Sequence, residues 1–226
     1  MRRSFYNELE NLARRLLDMS SIVETMIYEA IQSLTDQDLQ LAHKVISDDE
    51  AVDIMESSIE EECIKLLALQ SPLAADLRVV STVMKLVTDL ERIADNAVNI
   101  AETTIRIGNE PLIKPLIDIP RMGDITLGMV KDALDSFVKR ELEVAKEVIR
   151  RDDDVDRLYS MLFDELILKG QDAKKATQAI NLLFVARYLE RIADHATNIC
   201  ERVIYMVTGE RVSHMPLQKF YDAGVD

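Results

Sequence analysis

Tryptophan is absent from the 226-residue chain, and glycine (6), proline (5) and cysteine (2) are scarce. So little Gly and Pro, beside abundant Leu, Ile, Ala, Glu, Lys and Met, favours long helices over sheets. No apolar run approaches the roughly 20 residues that a membrane-spanning helix needs. The start, Met1-Arg2-Arg3-Ser4-Phe5, leads into an amphipathic pattern and not into the apolar core of a signal peptide. A cytoplasmic protein with no direct membrane insertion is expected. Cys63 and Cys200 lie far apart, with no CxxC and no Cys/His pair to suggest zinc, and are expected to be reduced and buried. Basic residues are also short, 27 against 41 acidic, for a net charge of −14. That excludes nonspecific nucleic-acid binding and docking onto anionic lipid. It suits binding of cations or of a basic patch on another protein.

What is present is helical periodicity. Phe5, Leu9, Leu12, Leu16, Met19, Val23, Met26 and Ala30 step by four and three, a coiled-coil-like seam. Thr35 and Asp36 offer an N-cap for a second helix, whose apolar positions are Leu41, Val45, Val52, Met55, Ile59, Cys63 and Leu66. Ser71-Pro72 breaks it and starts a third, with Pro early in the helix, and Gly108-Asn109 ends that one. Three prolines between Glu110 and Pro120 forbid continuous helix there, and the Leu and Ile residues of this stretch suggest that it packs on the body. Helices are then expected from about Arg121 to Phe137, Glu141 to Leu168 and Asp172 to Thr208. The expected organisation is a first three-helix bundle over 1–108, a Pro-containing linker over 109–120, a second bundle over 121–208 and a partly mobile tail over 209–226.

The two bundles are copies. Leu90-Glu91-Arg92-Ile93-Ala94-Asp95-Asn96-Ala97-Val98-Asn99-Ile100-Ala101-Glu102 recurs as Leu189-Glu190-Arg191-Ile192-Ala193-Asp194-His195-Ala196-Thr197-Asn198-Ile199-Cys200-Glu201, with ten of thirteen positions identical. Amphipathic composition alone preserves apolar positions. It does not also hold Glu, Arg, Asp and Asn in register. A weaker echo pairs Asp49-Glu50-Ala51-Val52-Asp53 with Asp152-Asp153-Asp154-Val155-Asp156. The fold class expected is all-α, a tandem duplication of an antiparallel three-helix bundle with six long helices.

On a helical wheel of about 100° per residue, Glu91, Asp95, Asn99 and Glu102 fall within an arc of roughly 80°. Glu190, Asp194, Asn198 and Glu201 do the same, and Asp49/Asp53 and Asp152/Asp156 are i,i+4 pairs. One apolar stripe of the third helix reads Leu77, Val80, Met84, Val87, Ala94, Val98, Ala101, Ile105, and Glu91 fills its gap. In the sixth helix Glu190 fills the gap between Ala186 and Ala193. A carboxylate at an apolar position needs a cation or hydrogen-bond donors. Three compensations are open: a metal ion, the nearby Arg92, Arg191, Arg78 and Arg187, or solvent at an acidic rim. Oxygen-only ligands suit hard ions such as Mg²⁺, Mn²⁺, Ca²⁺ or Fe³⁺ and suit zinc and copper poorly. Glu56 and Glu60 extend the first acidic face, whereas the second has Tyr159 and Phe163 there. His195 lies off the arc and is expected at the surface or rim; His43 and His214 have no partners at ligand spacing.

With its duplicated L-E-R-I-A-D block, paired acidic motifs and length, the chain resembles the PhoU family from about Arg3 to Gly209. The resemblance implies two three-helix bundles and a non-enzymatic adaptor in negative regulation of phosphate uptake and of the phosphate regulon. It implies contacts with the ATPase subunit of the phosphate transporter and with a membrane sensor kinase. Some members carry iron or other metal clusters on E/DxxxD motifs and others carry none. Carried onto this chain, the metal ligands are Asp49, Asp53, Glu91 and Asp95 in one cluster and Asp152, Asp156, Glu190 and Asp194 in the other. Asn99, Glu102, Asn198 and Glu201 are outer candidates, and the ion is multinuclear iron or Mg, Mn or Ca. The long seams and 10 Met point towards self-association as a homodimer.

Other classes fit less well. A ferritin-like di-metal protein needs Glu-x-x-His, and no Glu here has His three residues on. There is no Gly-rich phosphate loop, no Ser/His/Asp order and no HExxH. An acidic helical adaptor for another ion transporter stays open.

Overall fold

The structure, a computed structural model, describes residues 2–70 and 72–212. It contains six helices: α1 (Arg2–Asp36), α2 (Leu39–Gln70), α3 (Ala74–Ile107), α4 (Asp118–Lys139), α5 (Leu142–Lys169) and α6 (Ala176–Thr208). Each of α1, α2 and α3 packs on the other two, as do α4, α5 and α6 among themselves. The halves join through α3 against α6 and α1 against α4. No strand occurs among the described residues, and the all-helical expectation is met.

The seam of α1 is buried as its spacing demands: Leu12, Leu16, Met19, Val23, Met26 and Ala30 are all sealed from solvent. The stripe expected for α3 is buried in part. Its Leu77 is exposed, and Met84, Val98 and Ile105 are half-buried. Its Val80, Val87, Ala94 and Ala101 are fully buried, and a second stripe, Val83, Leu86, Leu90, Ile93, Ala97 and Ile100, is buried beside it. Their counterparts in the repeat, Leu182, Val185, Leu189, Ile192, Ala196 and Ile199, are equally buried in α6. A surface helix hides one stripe; α3 and α6 each hide more, because each packs on its own bundle and on the other.

Several boundaries differ from expectation. Thr35 does not cap α2, because its hydroxyl donates to the Ile31 carbonyl within α1 at 2.9 Å. Gln37 turns the chain with a positive φ of 53°. Asp38 then caps α2, accepting from the Gln40 and Leu41 N–H groups at 2.9 and 3.0 Å. Pro72 lies before α3 and not in its first turn, and Leu73 is extended at the helix start. Pro120 belongs to the first turn of α4, where its missing N–H costs no helical hydrogen bond, so the linker ends at Ile117. Residues 171–175 form turns, and α6 starts at Ala176. Ser71, His214 and the tail beyond Val212 lie outside the described residues.

The linker is fastened from both halves. Gln178 of α6, buried, accepts from the Ile113 N–H at 2.6 Å and donates to the Pro111 carbonyl at 3.2 Å. Gln37 donates to the Gly108 and Glu110 carbonyls at 2.9 and 2.8 Å. Leu112, Ile113 and Leu116 pack on the core, as their apolar character suggests. Gly123 lets α4 close on α1: a Cβ there would sit 2.2 Å from Ile31 Cδ1. These ties hold α3 and α6 side by side, and the acidic motifs are set on the flanks facing α2 and α5.

Candidate functional site

Val52 is fully buried and anchors its turn of α2 in the core. Asp49 and Asp53, three before and one after it, therefore emerge at the edge of that face, towards α3. There the first cluster forms. Burial, then the neighbouring Asp53 and Asp95, push Asp49 up to about 6. Glu91 keeps only 16% of its side chain exposed. Burial, then Asp95, Glu56 and Asp53, push it up to about 7 against the opposing pull of Arg92. Arg92 Nε stands 3.2 Å from Glu91 Oε2 and its Nη1 3.1 Å from Asp95 Oδ2. The contact to Glu91 is too poorly aligned to be a hydrogen bond, and Oε2 stays buried without a donor. Burial, then Glu60 and Asp53, also raise Glu56.

The second cluster repeats the plan with different walls. Val155 anchors α5 as Val52 anchors α2. Burial, then Asp156, Asp194, Glu190 and Asp153, push Asp152 up to about 7. Glu190 is buried and raised by burial and Asp194, with Arg187 opposing. Asp194 is raised as well, chiefly by burial, against Arg187. Arg187 Nη1 donates to Glu190 Oε1, and its guanidinium lies 5.9 Å over the Tyr159 ring. Tyr159 and Phe163, the replacements for Glu56 and Glu60, sit with ring centroids 6.4 Å apart. Arg187 stands where the first half has Thr88. The second cluster thus gains an arginine and loses two carboxylates, and Asp152 Oδ1 and Glu190 Oε2 remain buried without donors.

The eight carboxylates expected as ligands fall into these two groups of four. The outer candidates go elsewhere. Asn99 donates to the Asp95 carbonyl of its own helix at 2.7 Å, and Glu102 is exposed. Asn198 and Glu201 line a cavity of about 570 Å³ between α3 and α6. Arg191 and Arg78 do not pair with the glutamates; Arg78 Nε donates to the Met206 carbonyl at 3.3 Å. His195 is not a rim residue. It is half-buried, with Nδ1 3.1 Å from Oδ1 of the buried Asp89, whose Oδ2 accepts from Arg202 Nε at 2.8 Å. Asp89 and Arg202 escaped the sequence reading. The signal was the broken repeat: His195 and Arg202 replace Asn96 and Thr103, and Asp89 is matched by Tyr188.

Could these residues hold a metal? The donor type fits a hard cation, since all eight are carboxylates. The three donor-less buried carboxylate oxygens are where a cation or a proton would relieve charge. Among the described residues, however, no three Asp, Glu, His or Cys side chains are drawn together closely enough to hold an ion. The chemistry fits, and the carboxylates would have to close inward to bind.

Comparison with known proteins follows the same outline. The family profile described as "PhoU domain" matches residues 16–104 and again 119–203, one match per bundle. A Clostridium acetobutylicum protein named "Phosphate-specific transport system accessory protein PhoU homolog" is 43% identical over 213 residues, 93% of this chain and 97% of that protein. The crystal structure of PhoU from Pseudomonas aeruginosa superposes with a TM-score of 0.88 at 36% identity, covering 91% of this chain and all of that one. That of the phosphate transport system regulatory protein PhoU from Streptococcus pneumoniae gives 0.86 at 32% identity, covering 92% and 99%.

Proposed function

The chain belongs to the PhoU domain family, and on that footing we propose that it is a regulatory accessory protein of a phosphate-specific transport system. In this reading it acts in the cytoplasm as a non-enzymatic adaptor. It restrains phosphate uptake and the phosphate regulon through the transporter's ATPase subunit and a membrane sensor kinase, and it works as a homodimer. The observation that carries the proposal is the match to transport accessory proteins over more than nine-tenths of the chain. No helix among the described residues is long and apolar enough to cross a membrane.

The clusters give the adaptor its chemistry. Asp49, Asp53, Glu91 and Asp95, and Asp152, Asp156, Glu190 and Asp194, would hold iron, Mn²⁺, Mg²⁺ or Ca²⁺. A bound ion would supply positive charge that neutralises each group. Without one, the same carboxylates form acidic faces suited to a basic partner. The helices of the second cluster also expose Phe163, Ile180 and Phe184, apolar surface of the kind that marks docking faces. Co-purification with the ATPase subunit tests the reading. Retention of that subunit by the wild type, and its loss with Asp156→Lys and Asp194→Lys together, supports an acidic docking face. Equal retention by both places docking elsewhere; no retention by either refutes the adaptor.

A further inference from the structure

Away from the carboxylate clusters, between α3 and α6, the described residues form a cavity whose lining carries more cations than anions. Three cations, Lys85, Arg202 and Arg211, line it against one carboxylate, Glu201. In a chain of net charge −14 such convergence is not what an average surface offers. We infer that this cavity binds a phosphate-bearing small molecule, of nucleotide size, at the joint between the two bundles. The inference is independent of the acidic clusters and of the transport reading.

Each cation is placed for it. Asp89 accepts from Arg202 Nε at 2.8 Å and fixes the guanidinium plane, and no described residue holds its Nη groups. A guanidinium held by one edge presents the other as a fork for two oxygens of a phosphate. Asp89 offsets the charge of Arg202, but it engages only the Nε edge and leaves the Nη fork facing no described partner. Lys85 is exposed and makes no ion pair with any described residue. Arg211 lies 5.7 Å over the Tyr205 ring, and a guanidinium on an aromatic ring makes a flat surface on which a base can stack. The buried Thr82 and the Asn198 amide add neutral polar groups. The volume, about 570 Å³, lies within the roughly 300–1,000 Å³ of small-molecule sites and exceeds what one inorganic phosphate fills.

The repeat shows that this chemistry occurs once per chain. The counterparts of Ser81 and Lys85 are Ile180 and Phe184, both exposed apolar residues, and the counterpart of Arg202 is Thr103. Where the halves diverge from each other, the cations gather on one side of the α3–α6 joint.

The test is isothermal titration calorimetry of the full chain with ATP, ADP and inorganic phosphate in turn. A chelator is present so that divalent ions cannot bridge a nucleotide to the carboxylates. ATP or ADP should bind one per chain, more weakly at higher salt. The Lys85→Ala, Arg211→Ala double variant should weaken it by about tenfold or more, since it removes two cations from the site. Both side chains are exposed and neither belongs to the core, so the variant should keep its helical circular dichroism. Binding of inorganic phosphate alone, weakened by the same variant, keeps the anion site and makes free phosphate its ligand. No binding of any of the three at millimolar concentration, or binding that the double variant leaves unchanged, overturns the inference.

Discussion

Replacing Glu91 by Gln and Asp152 by Asn should stabilise the metal-free protein at alkaline pH and do nothing in acid. Burial and like charges push Glu91 from 4.5 up to about 7, and Asp152 from 3.8 up to about 7. The folded chain thus holds protons that the unfolded chain has released. Stability from these groups is full below the unfolded values and lost as the pH rises through about 7. Each unit of displacement corresponds to about 1.36 kcal/mol, but both groups keep some contact with water, which screens the cost. About 1 kcal/mol for each group is a fair discounted figure, or about 2 kcal/mol for the two. The sites lie in different bundles, so the effects should add. For a chain of this size that is about 4–8 °C in Tm. The assay is thermal unfolding followed by circular dichroism in chelator, at pH 8 and at pH 4. The double variant should melt higher at pH 8 and together with the wild type at pH 4. A variant that melts at or below the wild type at pH 8, or a gap that does not close in acid, refutes the electrostatic reasoning.

Elemental analysis of the untagged protein by plasma mass spectrometry should find stoichiometric iron or manganese that vanishes in the Asp95→Ala, Asp194→Ala double variant; metal at background in the wild type turns the clusters into docking faces alone. Gln178→Ala should cost about 1–3 kcal/mol in urea unfolding, because it leaves the linker amide of Ile113 without its acceptor; an unchanged midpoint would show the linker held by its apolar residues. Burial pushes both Cys63 and Cys200 up to about 12, so neither should react with a disulfide reagent at pH 8 until denaturant is added. Rapid reaction of the native protein would contradict their burial.

Much of this architecture was legible because it is repetitive. The α1 seam and the thirteen-residue block follow from periodicity and register, and the two acidic faces follow from the spacing of their carboxylates. The boundaries were less legible where several residues could play one part. Thr35, Asp36 and Asp38 are all competent caps, and only the path of the chain through Gln37 selects Asp38. Pro120 reads as a breaker, yet a helix tolerates proline in its first turn. Glu91 does interrupt an apolar stripe, but that stripe is one of two on α3, because a helix buried on several sides has more than one apolar face. The Asp89–His195–Arg202 contact joins the two bundles, and a reading that treats each repeat alone cannot see it. The cavity cations were missed for the same reason: Lys85 and Arg202 are over 100 residues apart and look like ordinary solvated charges until α3 meets α6.

The central claim is control of phosphate uptake, and labelled phosphate measures it directly. Cells lacking this chain should take up [³²P]phosphate faster than wild type in phosphate-rich medium, and the wild-type chain supplied in trans should restore the slower rate. An uptake rate that its loss leaves unchanged, in rich and in poor medium alike, would contradict the account.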